Sequence, residues 1–209
     1  MLNLDMGDFL TFASIADALG LEYDGPHFRD CEVEPGLWRR HPELGDHSRS
    51  DISRDGYMGV LFNALVTQDD QIHKRMIEAG WRRCWTMGDR GNLDYINIWP
   101  LVPVLYAMND NRTPTIPTLC TSFNDDGFRS HLLALIILIE RLIGKDRWSH
   151  RQGSRGIYYA NRHNAWFEEL YRLCHGLPPG RAKPFEYHWG GCPYDLFVAL
   201  TEFTAEQIR

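Results

Sequence analysis

Apolar positions recur along the chain mostly at spacings of three and four, which predicts helices. From Asp8 to Leu19 they fall at Phe9, Leu10, Phe12, Ala13, Ile15, Ala16 and Leu19, and Gly20 ends the run. A second helix is predicted from Gly56 through Leu65. After a pause at Thr67 to Asp70, a third runs through Ile72, Met76, Ile77 and Ala79 to about Trp85, making a helical hairpin. Ile96 to Met108 reads as another apolar helix, with Pro100 and Pro103 in its first turn or kinking it. The strongest pattern runs from about Asp126 to Ile143, apolar on nearly every face, with Asp125 or Asp126 as cap and Gly144 as stop. Asn164 to His175 forms an amphipathic helix ended by Gly176, and Pro193 to Phe203 forms a last one.

Between these elements, residues 21 to 50 carry Pro26, Pro35 and Pro42 among glycines and charges and read as a long irregular segment. Few stretches alternate with period two. The expectation is one mainly α domain over 1–209 of roughly seven helices, with long loops and no parallel-sheet rhythm.

Composition narrows the function classes. The net charge is -6 with pI near 5.8, which argues against a nucleic-acid partner, since no Lys/Arg block dominates. Of the 22 basic residues three are lysines, Lys74, Lys145 and Lys183, so arginine carries the positive charge. Its flat, permanently charged fork suits carboxylate, phosphate or sugar oxygens. The five cysteines stand at wide, irregular spacing and read as buried thiols in a reducing compartment. The first residues carry acids where a signal sequence would be apolar, and Leu132 to Ile139 is too short to span a bilayer, so the expectation is a cytoplasmic protein without a membrane partner. The nine histidines show no metal-ligand spacing, and neither phosphate-loop glycines nor a nucleophile elbow is present, so no metal and no cofactor are expected.

Four polar segments remain as candidate chemistry. His47 to Asp55 gathers serines, arginines and acids before an apolar helix, where unsatisfied amides favour anions. Asp51 and Asp55 lie four residues apart with Arg54 beside them, which predicts an ionised carboxylate that orients a substrate or acts as base. A capping network by Asp51 or Ser53 explains the same serines and acids. Ser122 to His131 repeats the arrangement. If the two helix entrances adjoin, Asp55 and Asp126 face each other as paired carboxylates do in sugar-cleaving enzymes, while capping and packing of His131 form the alternative. Tyr158, Tyr159, Arg162 and His163 combine aromatic rings with hydrogen-bonding groups, as a ligand surface or as an ordered loop. Glu186 to Asp195 adds His188 as an acid–base group and Trp189 as a stacking ring.

The run from Ser53 to Gly59, followed by a helical hairpin ending at Trp85 to Gly88, resembles the inner-helix entrances of helical toroid enzymes acting on glycans. The resemblance covers about 40 residues and implies a partial or complete α/α toroid-like bundle, with acids and aromatics from loops at one end lining a sugar cleft. It implies a carbohydrate-active enzyme, a glycoside hydrolase or polysaccharide lyase, acting on a glycan or other small-molecule substrate. In this reading Asp55, Asp126 and His188 are catalytic. Asp51, Arg54, Arg162 and His163 hold the substrate, and Trp85, Tyr158, Tyr159 and Trp189 stack on it. A non-catalytic binding or assembly protein, a viral component among the options, accounts for the same aromatics. A nucleic-acid-processing enzyme would require the arginines to cluster on one face.

Overall fold

A computed structural model describes residues 1–4, 8–43, 54–87, 96–97, 127–145, 148–180 and 192–207. The chain is mainly helical, with seven α-helices among the described residues. It divides into two compact units, Met1–Thr115 and Ile116–Arg209.

In the first unit α1 (Phe9–Ala18) and α2 (Arg54–Val66) cross closely. Gly59 makes this approach feasible: a Cβ there would lie 2.7 Å from the Thr11 carbonyl oxygen. Asn63, fully buried on α2, donates to the Ser14 carbonyl at 3.0 Å and to the Asp17 carboxylate at 2.9 Å, so a polar bridge fixes the same pair. Phe9, Phe12, Ile15, Tyr57, Leu61 and Phe62 supply the buried apolar surface around it. The helix α3 (Asp70–Arg82) starts at Asp69, whose carboxylate accepts the Gln71 amide at 3.1 Å.

The segment from 21 to 43, expected to be wholly irregular, holds a 3-10 turn (Phe28–Cys31) and a small antiparallel hairpin, β1 (Glu32–Glu34) and β2 (Leu37–Trp38). The hairpin exists because its turn is anchored elsewhere. Gly36, at φ +80°, sits directly on the backbone of Arg75, and the Arg75 guanidinium forks onto Glu32 with both bonds at 3.0 Å. Glu32 also accepts the Gly36 amide at 2.7 Å.

A further correction concerns Ile96 to Met108. Ile96–Asn97 is a short strand, β4, antiparallel to β3 (Thr86–Met87), and the remainder of that predicted helix lies outside the described residues. Backbone pairing of 96–97 with 86–87 takes the hydrogen-bonding groups that a helix would have used.

In the second unit α4 (Gly127–Leu142) is buried along its length from Leu133 to Ile139, as its pattern predicts, and Gly144 at φ +77° follows it. Next comes α5 (Trp148–Ala160), which the hydrophobic pattern does not predict. Its buried face is His150, Gly153, Ser154 and Ile157, a helical spacing written almost without aliphatic residues. The small residues let α5 lie close to α4, with Gly153 against the Ile137 side chain. His150 Nε2 hydrogen-bonds the Glu140 carboxylate, both groups being buried. The helix α6 (Ala165–His175) is capped by Asn164, which accepts the Phe167 amide at 3.1 Å, and ends at Gly176 in the left-handed region. It packs on α7 (Tyr194–Glu206), where Trp166 Nε1 donates to Thr204 Oγ1 at 3.1 Å. His131 stacks on Trp166 and Phe167 in this core, the packing role that was the alternative for it. Among the described residues no helix is long and apolar enough to cross a membrane.

Candidate functional site

Two of the four polar segments are described well enough to give geometry, one in each unit. In the first unit Asp55 occupies the first turn of α2. The start of α1 and the irregular segment following β2 come to the same place, tied together by the Leu10 amide on the Arg40 carbonyl at 2.9 Å and by His41 edge-on to Phe9. Burial pushes the Asp55 carboxyl up to about 6, and the like charge of Asp8 adds to it, while Arg40 and Arg54 pull the other way without overcoming it. Arg54 therefore does not hold this acid in the ordinary carboxylate range, and the carboxyl, still mostly ionised at neutral pH, takes up a proton just below it. Desolvation outweighs both guanidinium groups, and Arg54 itself is exposed. Such a carboxyl exchanges its proton near neutral pH, which an ordinary surface aspartate does not.

The sequence signal around Asp55 identified the helix entrance but omitted Asp8 and Arg40, which lie far from it along the chain. Nothing local could have found them. Asp51 and Asp126 lie outside the described residues, as do His188 and Trp189.

In the second unit Tyr158 and Tyr159 are not in a loop, as one reading had them, but on the last turn of α5. Tyr158 stacks on Tyr171 of α6 with ring centroids 5.0 Å apart, and Tyr171 meets His175 at 4.2 Å. Tyr159 stands edge-on to Tyr171 and keeps 47% of its surface exposed. Two guanidinium groups lie over the Tyr159 ring, Arg162 at 5.1 Å and Arg155 at 5.6 Å from its centroid. His175 Nε2 is 3.2 Å from the Arg151 carbonyl oxygen. The structure thus brings together Tyr158, Tyr159 and Arg162 in one shelf, with His163 exposed in the adjoining turn. Sequence reasoning missed Arg155, Tyr171 and His175; the four-residue spacing of Arg151, Arg155 and Tyr159 was the available signal, once a helix is recognised there.

Trp85 is a correction to the predicted stacking surface. Its indole is 1% exposed and packs against Gly80, where a Cβ would lie 2.4 Å from the ring, with the Trp85 backbone at φ 59°. A side chain so enclosed serves the core. Its neighbour Trp81, edge-on to it, is the exposed ring.

Among the described residues no group of three His, Cys, Asp or Glu side chains is placed to hold a metal ion. Cys31 is buried, and burial pushes its thiol up to about 12, which makes it a poor nucleophile. Compared with family models, with curated proteins and with solved structures, the chain matches none.

Proposed function

We propose that the chain is a carbohydrate-active enzyme, of glycoside hydrolase or polysaccharide lyase type, with Asp55 as its proton-transferring acid. The observation that carries this reading is a carboxyl at a helix entrance shielded enough to titrate at about 6. A glycosidic oxygen departs readily only when it receives a proton, and a carboxyl protonated just below neutrality can give one. In the hydrolytic form the Asp55 proton passes to the leaving oxygen as the C–O bond breaks, and water adds to the sugar carbon while giving up one proton to a carboxylate, which restores the proton count. Asp126 is the second carboxylate in this proposal and His188 a further acid–base group. The shelf of Tyr158, Tyr159 and Arg162 supports sugar binding through its guanidinium groups, which take sugar oxygens, while the Tyr159 ring lies under Arg155 and Arg162 and Tyr158 stacks on Tyr171. Helical hairpins such as α2–α3 are the kind of unit an α/α toroid is built from, and a partial toroid is the arrangement proposed for the chain.

An unbiased glycan screen with mass-spectrometric detection of products tests this. Wild-type protein is expected to release products with a rate that declines as pH rises through about 6. Turnover by Asp55→Asn equal to wild type would remove Asp55 from the chemistry.

One observation favours a second reading, a non-catalytic binding or assembly protein. Trp81 and Trp148 are 64% and 71% exposed, unusual for so large an apolar ring. Concentration-dependent association in light scattering, with no product from any glycan, is what that reading expects.

A further inference from the structure

The segment that follows β2 is tied to α1 beside a histidine that must be neutral to make its own bond. The Glu43 amide donates to His41 Nδ1 at 3.0 Å. A backbone amide can only donate, so Nδ1 keeps its lone pair and the ring proton sits on Nε2. Pro42 has no N–H, which makes the Glu43 amide the first donor after the ring. The ring is 6% exposed and stands edge-on to Phe9 of α1, with ring centroids 4.6 Å apart. One residue earlier the Arg40 carbonyl accepts the Leu10 amide at 2.9 Å. That amide lies in the first turn of α1 and has no acceptor within its own helix, so it reports directly on this attachment. At the other end of the segment His27 uses the same device, its Nδ1 accepting the Arg29 amide at 3.2 Å. There the outcome of protonation differs, because His27 Nε2 lies 3.3 Å from the Asp17 carboxylate, which offsets a positive charge on the ring.

We propose that His41 is a proton-operated latch beside Asp55: neutral, it holds residues 39–43 against the start of α1, and on taking a proton it releases them and with them Arg40. A proton on Nδ1 turns an acceptor into a donor that faces the Glu43 N–H, so that bond is lost and a charge is buried against Phe9. The charged groups of the elements that meet there are Asp8 of α1, Arg54 and Asp55 of α2, and Arg39, Arg40 and Glu43 of the segment itself. From the 3-10 turn Cys31 faces the Arg40 carbonyl as a thiol, its titration pushed up to about 12 by burial. The arginines keep their charge. Asp55 takes up a proton in the same range as a histidine does, so the two must be told apart by experiment. The latch is a property of the first unit alone, and its control of proton transfer to a glycan rests on the carbohydrate reading above.

Amide hydrogen exchange followed by NMR on the full chain tests this, with the Leu10 amide as reporter and the Leu61 amide, in the middle of α2, as the control for unfolding of the unit. From about pH 7.5 to about pH 5, with intrinsic exchange rates divided out, Leu10 protection is expected to fall about tenfold or more while Leu61 protection holds. In His41→Asn the side-chain oxygen takes the place of Nδ1, accepts the Glu43 amide and does not titrate, so Leu10 protection is expected to stay level over the same range. Asp55→Asn is expected to keep the wild-type response. A level response in the wild type overturns the latch. So does a loss in His41→Asn equal to that of the wild type, or a loss that disappears in Asp55→Asn, which gives the switch to the carboxyl. If His41→Asn does not fold, the ring-nitrogen chemical shifts of wild-type His41 decide: protonation without loss of Leu10 protection, or that loss while the ring is neutral, overturns the proposal. A latch that opens in a chain that cleaves no glycan ends only the enzymatic reading. Cleavage of a glycan by a chain whose Leu10 protection stays level ends only the latch.

Discussion

At the start of α2, Asp55 sits among Asp8, Arg40 and Arg54 with its carboxyl shielded from water, whereas along α5 and in the turn after it Arg151, Arg155 and Arg162 are exposed. Both regions are helical and polar, and their charges behave differently because their packing differs. The first acid is placed where the chain crowds several elements together, so desolvation dominates and the group becomes able to gain or lose a proton near neutrality. Arg151 and Arg155 occupy the solvent side of a helix whose other side is small and packed, and Arg162 stands exposed just beyond its end, so their charge is constant. A shielded group suits chemistry that changes its charge, and an exposed permanent cation suits binding that does not.

The largest expected effect that would break this contrast is on turnover. Asp55→Asn should reduce the rate on any glycan that the wild type cleaves by about a thousandfold, with the circular dichroism of the fold unchanged. Next comes a steric test of the crowding that shields Asp55. Gly59→Val drives a side chain into the Thr11 backbone and should cost about 2–3 kcal/mol in urea unfolding, and an unchanged midpoint would mean that α1 and α2 can separate without penalty.

A smaller effect follows from linkage. Because the folded-state pKa of Asp55 is raised to about 6, the fold holds this proton more tightly than the unfolded chain does. The stability it contributes is complete below the ordinary carboxylate range and is lost as pH rises to about 6. Asp55→Asn should therefore gain about 1–2 kcal/mol over wild type above that pH, and little at the acid end, in paired denaturant titrations. A gain independent of pH would show that the carboxyl is not shielded. The smallest effect lies on the exposed side: Tyr159→Ala should change stability by less than about 0.5 kcal/mol, and a larger loss in thermal unfolding would assign that ring to packing instead of recognition.

The contrast also explains which parts were legible in the sequence. The helices α1, α2, α3, α4, α6 and α7 announce themselves because their buried faces are aliphatic or aromatic, or because Asn164 and Gly176 mark the ends. The helix α5 does not, since its inward face is histidine, glycine and serine, whose burial depends on α4 being present to receive them. Strand β4 was hidden for a related reason: Ile96 and Asn97 pair with Met87 and Thr86, and no local pattern records that pairing. At the candidate site the identity of Asp55 was readable, but its protonation state was not. That state is set by burial and by Asp8 and Arg40, contributed by other segments. Tyr159 and Arg162 were readable as neighbours, while Arg155 and Tyr171 joined them only through helix geometry and through α6.

The seating of Gly36 on the Arg75 backbone bears on how this protein can be handled. The tip of the β1–β2 hairpin looks, from its proline and glycine, like a surface turn suited to a fluorophore or an epitope tag. It is instead wedged against α3, and a graft there would pry the hairpin from the helix. Gly20 and Gly176 follow their helices with no neighbouring atom within 4 Å of an added carbon, but at φ +69° and +63° both need glycine, so a tag at those corners belongs as an insertion beside the glycine and not in its place.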